Sequence, residues 1–175
     1  KKESMSSYYC LMAGLPDIAL DDSRGAQSVA DFKAELAEVL TEADKKLMFY
    51  FYLRYDCLNL VKLLKDSSAE ISPLGNYNRE QYEDMMTSAR EMNFNVHRYP
   101  SFLSVFAREF AYNKDKEGYF PEDAILLEYY KYALKCPNRM LREWFEMNLN
   151  VTNILTAIKE KKYGSKNIKI YKCKI

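Results

Sequence analysis

The chain has 175 residues, 48% hydrophobic and 29% charged, which is the balance of a folded globular protein and excludes a disordered one. Its net charge of +1 gives no overall electrostatic footprint for nucleic acid or anionic lipid. Four cysteines far apart (Cys10, Cys57, Cys136, Cys173) and a single histidine, His97, argue against a zinc site, which needs clustered ligands.

The scattered cysteines read instead as buried thiols of a reducing compartment. Only 5 Gly and 5 Pro, against 15 Tyr and 9 Phe, favour helices over a turn-rich β-protein. So many tyrosines point to half-buried helix faces, the ring packed and the hydroxyl wet. No run of 18 apolar residues could span a membrane, and Lys1–Met5 lacks the apolar core of a signal peptide. Cytoplasmic residence is the expectation.

In chain order, Tyr8–Ala13 is a short apolar run, expected to be a buried extended segment or a single turn. Gly14-Leu15-Pro16-Asp17 breaks it, and a loop follows to Gly25. Ser28, with Asp31 three residues on, resembles a capping box and opens a helix carrying Val29, Phe32, Leu36 and Leu40. Thr41-Glu42-Ala43-Asp44 opens a second helix, running to about Lys65. It is apolar nearly all round from Leu47 to Leu64 and should therefore be central. Residues 67–76, with Pro73 and Gly75, form a loop. Asn78 caps the next helix, with Tyr82, Met85, Met86 and Ala89 on one face.

Ser101 to about Tyr112 is a further helix with Phe102, Val105, Phe106 and Phe110, and residues 113–119 are a charged surface loop. Pro121-Glu122-Asp123 suits a first helical turn, where the missing donor and the acids fit the helix start. That helix ends before Pro137. Asn138 caps the last one, which ends near Gly164. The partial alternation of Asn167–Ile175 predicts a basic strand, and an unpaired terminal strand is poorly held. The chain is therefore expected to be part of a longer protein. Between Lys159 and Lys174 there are seven lysines and one acid, Glu160, most simply a solvated end.

One segment occurs twice. Phe51–Lys65 and Phe145–Lys159 superpose without a gap: an aromatic, then Asp56 or Asn150, then Asn59 or Asn153, then two aliphatics and a lysine. Such a repeat marks a structural unit used more than once. On a helix, Asp56, Asn59, Leu60, Leu63 and Leu64 share one broad face. A polar pair inside an apolar helix is costly unless each group finds a partner. The expected role of Asp56, Asn59, Asn150 and Asn153 is thus a hydrogen-bond clasp between packed helices, the acid accepting from a helix start and the amide capping carbonyls. A functional acid at Asp56 is disfavoured, because Asn150 cannot do acid–base work.

Other chemistry finds little support. His97 lies beside Arg98 in an expected loop. Glu83-Asp84 and Glu122-Asp123 are sequence neighbours and point to different helix faces. No phosphate-cradling loop and no GxSxG, HExxH or Ser/His/Asp pattern is present. The expectation is a protein with no enzymatic activity, no cofactor and no metal.

The repeated pattern, an aromatic followed by D-x-x-N-[LI]-x-x-x-[LI]-[KR], resembles the repeated helices of the C-type (also called d-type) subunit of V-type and archaeal-type ATPases. Tyr8–Asp17 is similar to the opening of a bacterial family of unknown function. Its genes lie among those of the V-type ATPase, where its members take the place of the C-type subunit. The resemblance spans roughly Tyr8 to Gly164. Asp56, Asn59 and Lys65 match the first motif, and Asn153 and Lys159 the second; Asn150 departs from it. The C-type subunit has three helical lobes, and two copies are found here.

The resemblance implies an all-α protein of two related lobes, at about 28–92 and 100–164, with a basic tail at 165–175. It implies a mechanical role: a rotor adapter seating the central-shaft subunits on the proteolipid ring during ATP-driven ion transport. The protein would then be peripheral on the inner face of the plasma membrane, with Lys166, Lys169 and Lys172 near lipid headgroups or acidic loops. The alternative is a stand-alone helical scaffold for some other protein.

Overall fold

A computed structural model describes residues 2–15, 28–91 and 98–163. They form α-helices and no strand: α1 (Lys2–Gly14), α2 (Val29–Val39), α3 (Glu42–Lys65), α4 (Arg79–Arg90), α5 (Ser101–Asn113), α6 (Pro121–Ala133) and α7 (Arg139–Tyr163). The all-helical expectation holds for these residues. The terminal strand expected at 167–175 lies outside them, as does His97.

The helix starts follow local chemistry. Ser28 Oγ accepts from the Asp31 backbone N–H at 3.1 Å, satisfying one orphan donor of α2. Thr41 Oγ1 does the same for Asp44 at the start of α3, at 3.3 Å. Asn78 and Gln81 form a reciprocal capping box on α4. Pro121 occupies the first turn of α6, and Asn138 Oδ1 accepts from Leu141 N at 3.1 Å to cap α7.

Three expectations need correction. Tyr8–Ala13 is helical, the end of α1, and Tyr9 and Met12 are exposed rather than buried. Polar residues at 2–4 and 6–7 extend this helix without adding an apolar stripe, so periodicity alone misses it. On α5, Phe106 and Phe110 are buried with Leu103 and Ala107, while Val105 is exposed. Cys57 and Cys136 are buried as expected, but Cys10 is exposed.

The chain divides into two compact units, Lys1–Phe51 and Tyr52–Ile175. In the first, α1 packs on α2, and the Tyr8 hydroxyl donates to Asp44 Oδ2 at 2.5 Å while accepting from Thr41 N at 3.0 Å. That bond ties α1 to the opening turn of α3. In the second, α4 packs on α5, α5 on α6 and α6 on α7. The remainder of α3 supplies the fully buried Leu53, Cys57, Leu60 and Val61. Tyr82, Met85, Leu103, Ile125 and Ala133 complete that core. Along α3, burial becomes complete at Leu53, and apart from Phe51 both copies of the repeat fall in the second unit.

Candidate functional site

Two features of the second unit stand out: a buried polar clasp on α3 and an open apolar face on α7.

At the clasp, Asp56 and Asn59 are both buried, one helical turn apart on α3. Asp56 Oδ1 accepts from the backbone N–H groups of Asn76 (2.7 Å) and Tyr77 (3.2 Å) and from the Tyr82 hydroxyl (2.6 Å). Its Oδ2 accepts from Asn76 Nδ2 at 2.6 Å. Asn59 grips the same loop further up: its Oδ1 accepts from Ser72 N at 2.8 Å, and its Nδ2 donates to Ser72 O at 3.0 Å and to the Tyr82 hydroxyl at 3.3 Å. The 66–78 connection is also held from the α4 side, where Arg79 donates to the carbonyls of Ser67 (2.8 Å) and Ala69 (2.5 Å).

A loop can lie this close to a buried helix only because its polar groups are answered. Among the described residues, no buried side-chain nitrogen or oxygen lacks a partner. Gly75 is part of the fit. A Cβ there would lie 2.6 Å from Asp56 Oδ1 and 2.9 Å from the Tyr82 hydroxyl oxygen. Burial pushes the Asp56 carboxyl above its ordinary range, and the bonds from Tyr82, Asn76 and Tyr77 only partly oppose the rise. Burial and the Asp56 charge push the Tyr82 hydroxyl up in turn. Tyr82 is thus a tyrosine whose hydroxyl is buried and bonded, where the composition pointed to wet ones.

The clasp joins α3 to the loop before α4. The sequence identifies its two α3 members but none of Ser72, Gly75, Asn76 or Tyr82. The signal that could have found them was the unmet need of Asp56 for donors, with a Gly-containing loop beginning soon after α3.

The second copy has different surroundings. Asn150 is exposed on α7 and Asn153 is half-buried, and the structure brings neither to the Asp56 clasp. The reason is the face that α7 presents. Leu141, Phe145 and Leu149 are buried, with the Phe145 ring edge-on to Tyr129 of α6 at 6.0 Å between centroids. A second apolar row, Met140, Trp144, Met147, Val151, Ile154, Leu155 and Ile158, is 48% to 71% exposed. At 3.6 residues per turn this row runs along the helix about a third of a turn from the buried one. Arg142, Glu143, Glu146 and Asn150 occupy the rest of the circumference.

The remaining candidates have ordinary surroundings. Asp84 accepts from the Tyr99 hydroxyl at 2.8 Å, and Glu122 pairs with Lys65. A cleft of about 330 Å³ is lined by Leu64, Ala89, Arg90, Arg108 and Phe110 among others; Asp56 is not in its wall. Lys166, Lys169 and Lys172 lie outside the described residues. Among the described residues, no group of three His, Cys, Asp or Glu side chains could hold a metal ion, and no helix is long and apolar enough to cross a membrane.

The sequence model of a family described as "protein of unknown function (DUF2764)" matches residues 5–172, and the chain belongs to that family. No curated protein and no solved structure matches the chain. None of these comparisons links the chain to the C-type ATPase subunit.

Proposed function

We propose that this DUF2764 member is a non-enzymatic helical adapter that holds another protein against α7. In the fuller form of the proposal it is the C-type rotor adapter of a V-type ATPase, between the central shaft and the proteolipid ring, peripheral on the cytoplasmic face of the membrane. The observation that carries the docking role is the open apolar row of α7. Its seven side chains expose roughly 700 Å², above the ~300–600 Å² of the largest patch on a typical monomer. Patches of that size mark interaction sites. The ATPase assignment rests on the two copies of the repeat and their order in the chain. The same exposed row also supports the broader reading, a scaffold for some other helical protein.

The test is recovery from native membranes of whatever binds the tagged full-length chain, with Ile154→Glu as the comparison. Shaft and ring subunits recovered by the parent, and lost with Ile154→Glu, support the adapter. Unrelated proteins with no ATPase component would replace it with the scaffold. Reversing the charge of Lys166, Lys169 and Lys172 should weaken ring association; unchanged association removes these lysines from the interface.

A further inference from the structure

The exposed row on α7 has a definite period. Met140, Trp144, Met147, Val151, Ile154 and Ile158 follow one another at spacings of four, three, four, three and four. That alternation is the 3.5-residue repeat of a coiled-coil seam, which fits a second helix rather than a flat surface or a lipid face. In heptad terms Trp144, Val151 and Ile158 are a positions, and Met140, Met147 and Ile154 are d positions. The buried face of α7 keeps its contact with α6, because the seam lies on a different side of the helix.

We propose that the seam is self-complementary, and that in the absence of another partner a second copy of this chain occupies it with the two α7 helices antiparallel. Three observations select this occupant. The first is layer matching. Placing the twofold axis beside Leu149 sets Met147 against Val151 of the other copy, Trp144 against Ile154, and Met140 against Ile158, so every seam residue meets an apolar one. The second is charge. A parallel pair would stack the Lys161 residues on each other at the next d position, beside Lys162; the antiparallel pair puts these basic ends at opposite extremes. The third is area. The six seam residues expose roughly 600 Å² per copy, the most they can bury, against ~800 Å² per partner in a standard stable interface; that suits a dimer that dissociates on dilution.

The arrangement also gives Asn150 a position. It flanks the seam close to the twofold axis, where it meets the other Asn150. An amide both donates and accepts and so can pair with itself, whereas an aspartate, as in the first copy, would set two carboxylates together. The self-paired form and the adapter use one face, so they exclude each other. The inference rests on the seam and not on the ATPase assignment.

Trp144 is the only tryptophan in the chain and lies in the seam, so its fluorescence reports directly. Light scattering of the 175-residue chain should give twice its 20.6 kDa mass at high concentration. Dilution should return the single-chain mass together with a red shift of Trp144 emission. Ile154→Glu and, separately, Val151→Glu should each raise the dissociation constant about 100-fold at unchanged helicity, and Asn150→Asp about tenfold. Orientation is read in a background of Cys10→Ser and Cys173→Ser by mixing Met140→Cys chains with Ile158→Cys chains. Disulfide-linked mixed pairs are expected, and linked Met140→Cys pairs would overturn the antiparallel arrangement. A chain that is monomeric at its highest soluble concentration overturns the proposal, as does a dimer that survives both glutamate variants. A monomer that still captures ATPase components through the seam would sink self-pairing and leave the adapter standing.

Discussion

The two copies of one sequence pattern meet opposite fates. Asp56 and Asn59 on α3 are sealed under the 66–78 connection, while their counterparts on α7, Asn150 and Asn153, are exposed and half-buried. The aliphatics diverge in the same way. Leu53, Cys57, Leu60 and Val61 are fully buried, and the residues at the equivalent places, Met147, Val151, Ile154 and Leu155, are about half exposed. One functional group differs between the copies as well. The carboxylate of Asp56 accepts at both oxygens and so gathers four donors from residues 76, 77 and 82. Asn150 has one accepting atom in place of two and could not hold such a loop in the same way. A repeated helix thus became a core strut where a loop could be clasped onto it, and a surface where it was not.

Removing the acid should break the contrast most strongly. Asp56→Ala leaves the Tyr82 hydroxyl, the Asn76 amide and two backbone N–H groups without their acceptor, and should cost roughly 3 kcal/mol or more. Asn150→Ala should stay within about 0.5 kcal/mol in the monomer. Urea unfolding of both variants measures the gap; equal costs would contradict the account. Next in size, Leu60→Ala should cost about 2–5 kcal/mol through loss of burial and the cavity left behind. Ile154→Ala, at the equivalent place, should change monomer stability by less than about 0.5 kcal/mol. Smaller again, Gly75→Ala must displace Asp56 or Tyr82, at about 1–3 kcal/mol. Hydrogen exchange of the Asn76 and Tyr77 amides should rise in that variant, because their bonds to Asp56 open.

The smallest effect is a pH signature that separates the clasp from the start of the same helix. The folded-state pKa of Asp56 is raised, mainly by burial. Its contribution to stability is therefore full below its unfolded-state value and is lost as pH rises through the folded one. Asp44 runs the other way. Bonds from Thr41 and Tyr8 hold its carboxyl below the ordinary range. Its contribution is present above the unfolded-state value and is lost as pH falls through the folded one. Comparing the parent with Asp56→Asn and with Asp44→Asn from about pH 3 to about pH 8 should give slopes of opposite sign. Slopes of the same sign would show that bonding, and not burial, governs Asp56.

The helices from α2 onward were legible in the sequence, and α1 was not. Ser28, Thr41, Asn78, Pro121 and Asn138 announce their starts, because capping depends on residues within one turn. The need for a clasp was legible too, since Asp56 and Asn59 lie inside an apolar helix where unpaired polar groups are costly. The 3–4 spacing from Met140 to Ile158 is equally readable, but spacing does not say whether an apolar row is covered. Which face is covered depends on what packs there, and that is a tertiary matter. The sequence by itself determined the helices from α2 to α7, their caps and the two polar pairs, because these follow from periodicity and local hydrogen bonding. Only the tertiary structure decided that one pair grips residues 72–82 while its counterpart does not, because that choice depends on long-range contacts no local pattern encodes.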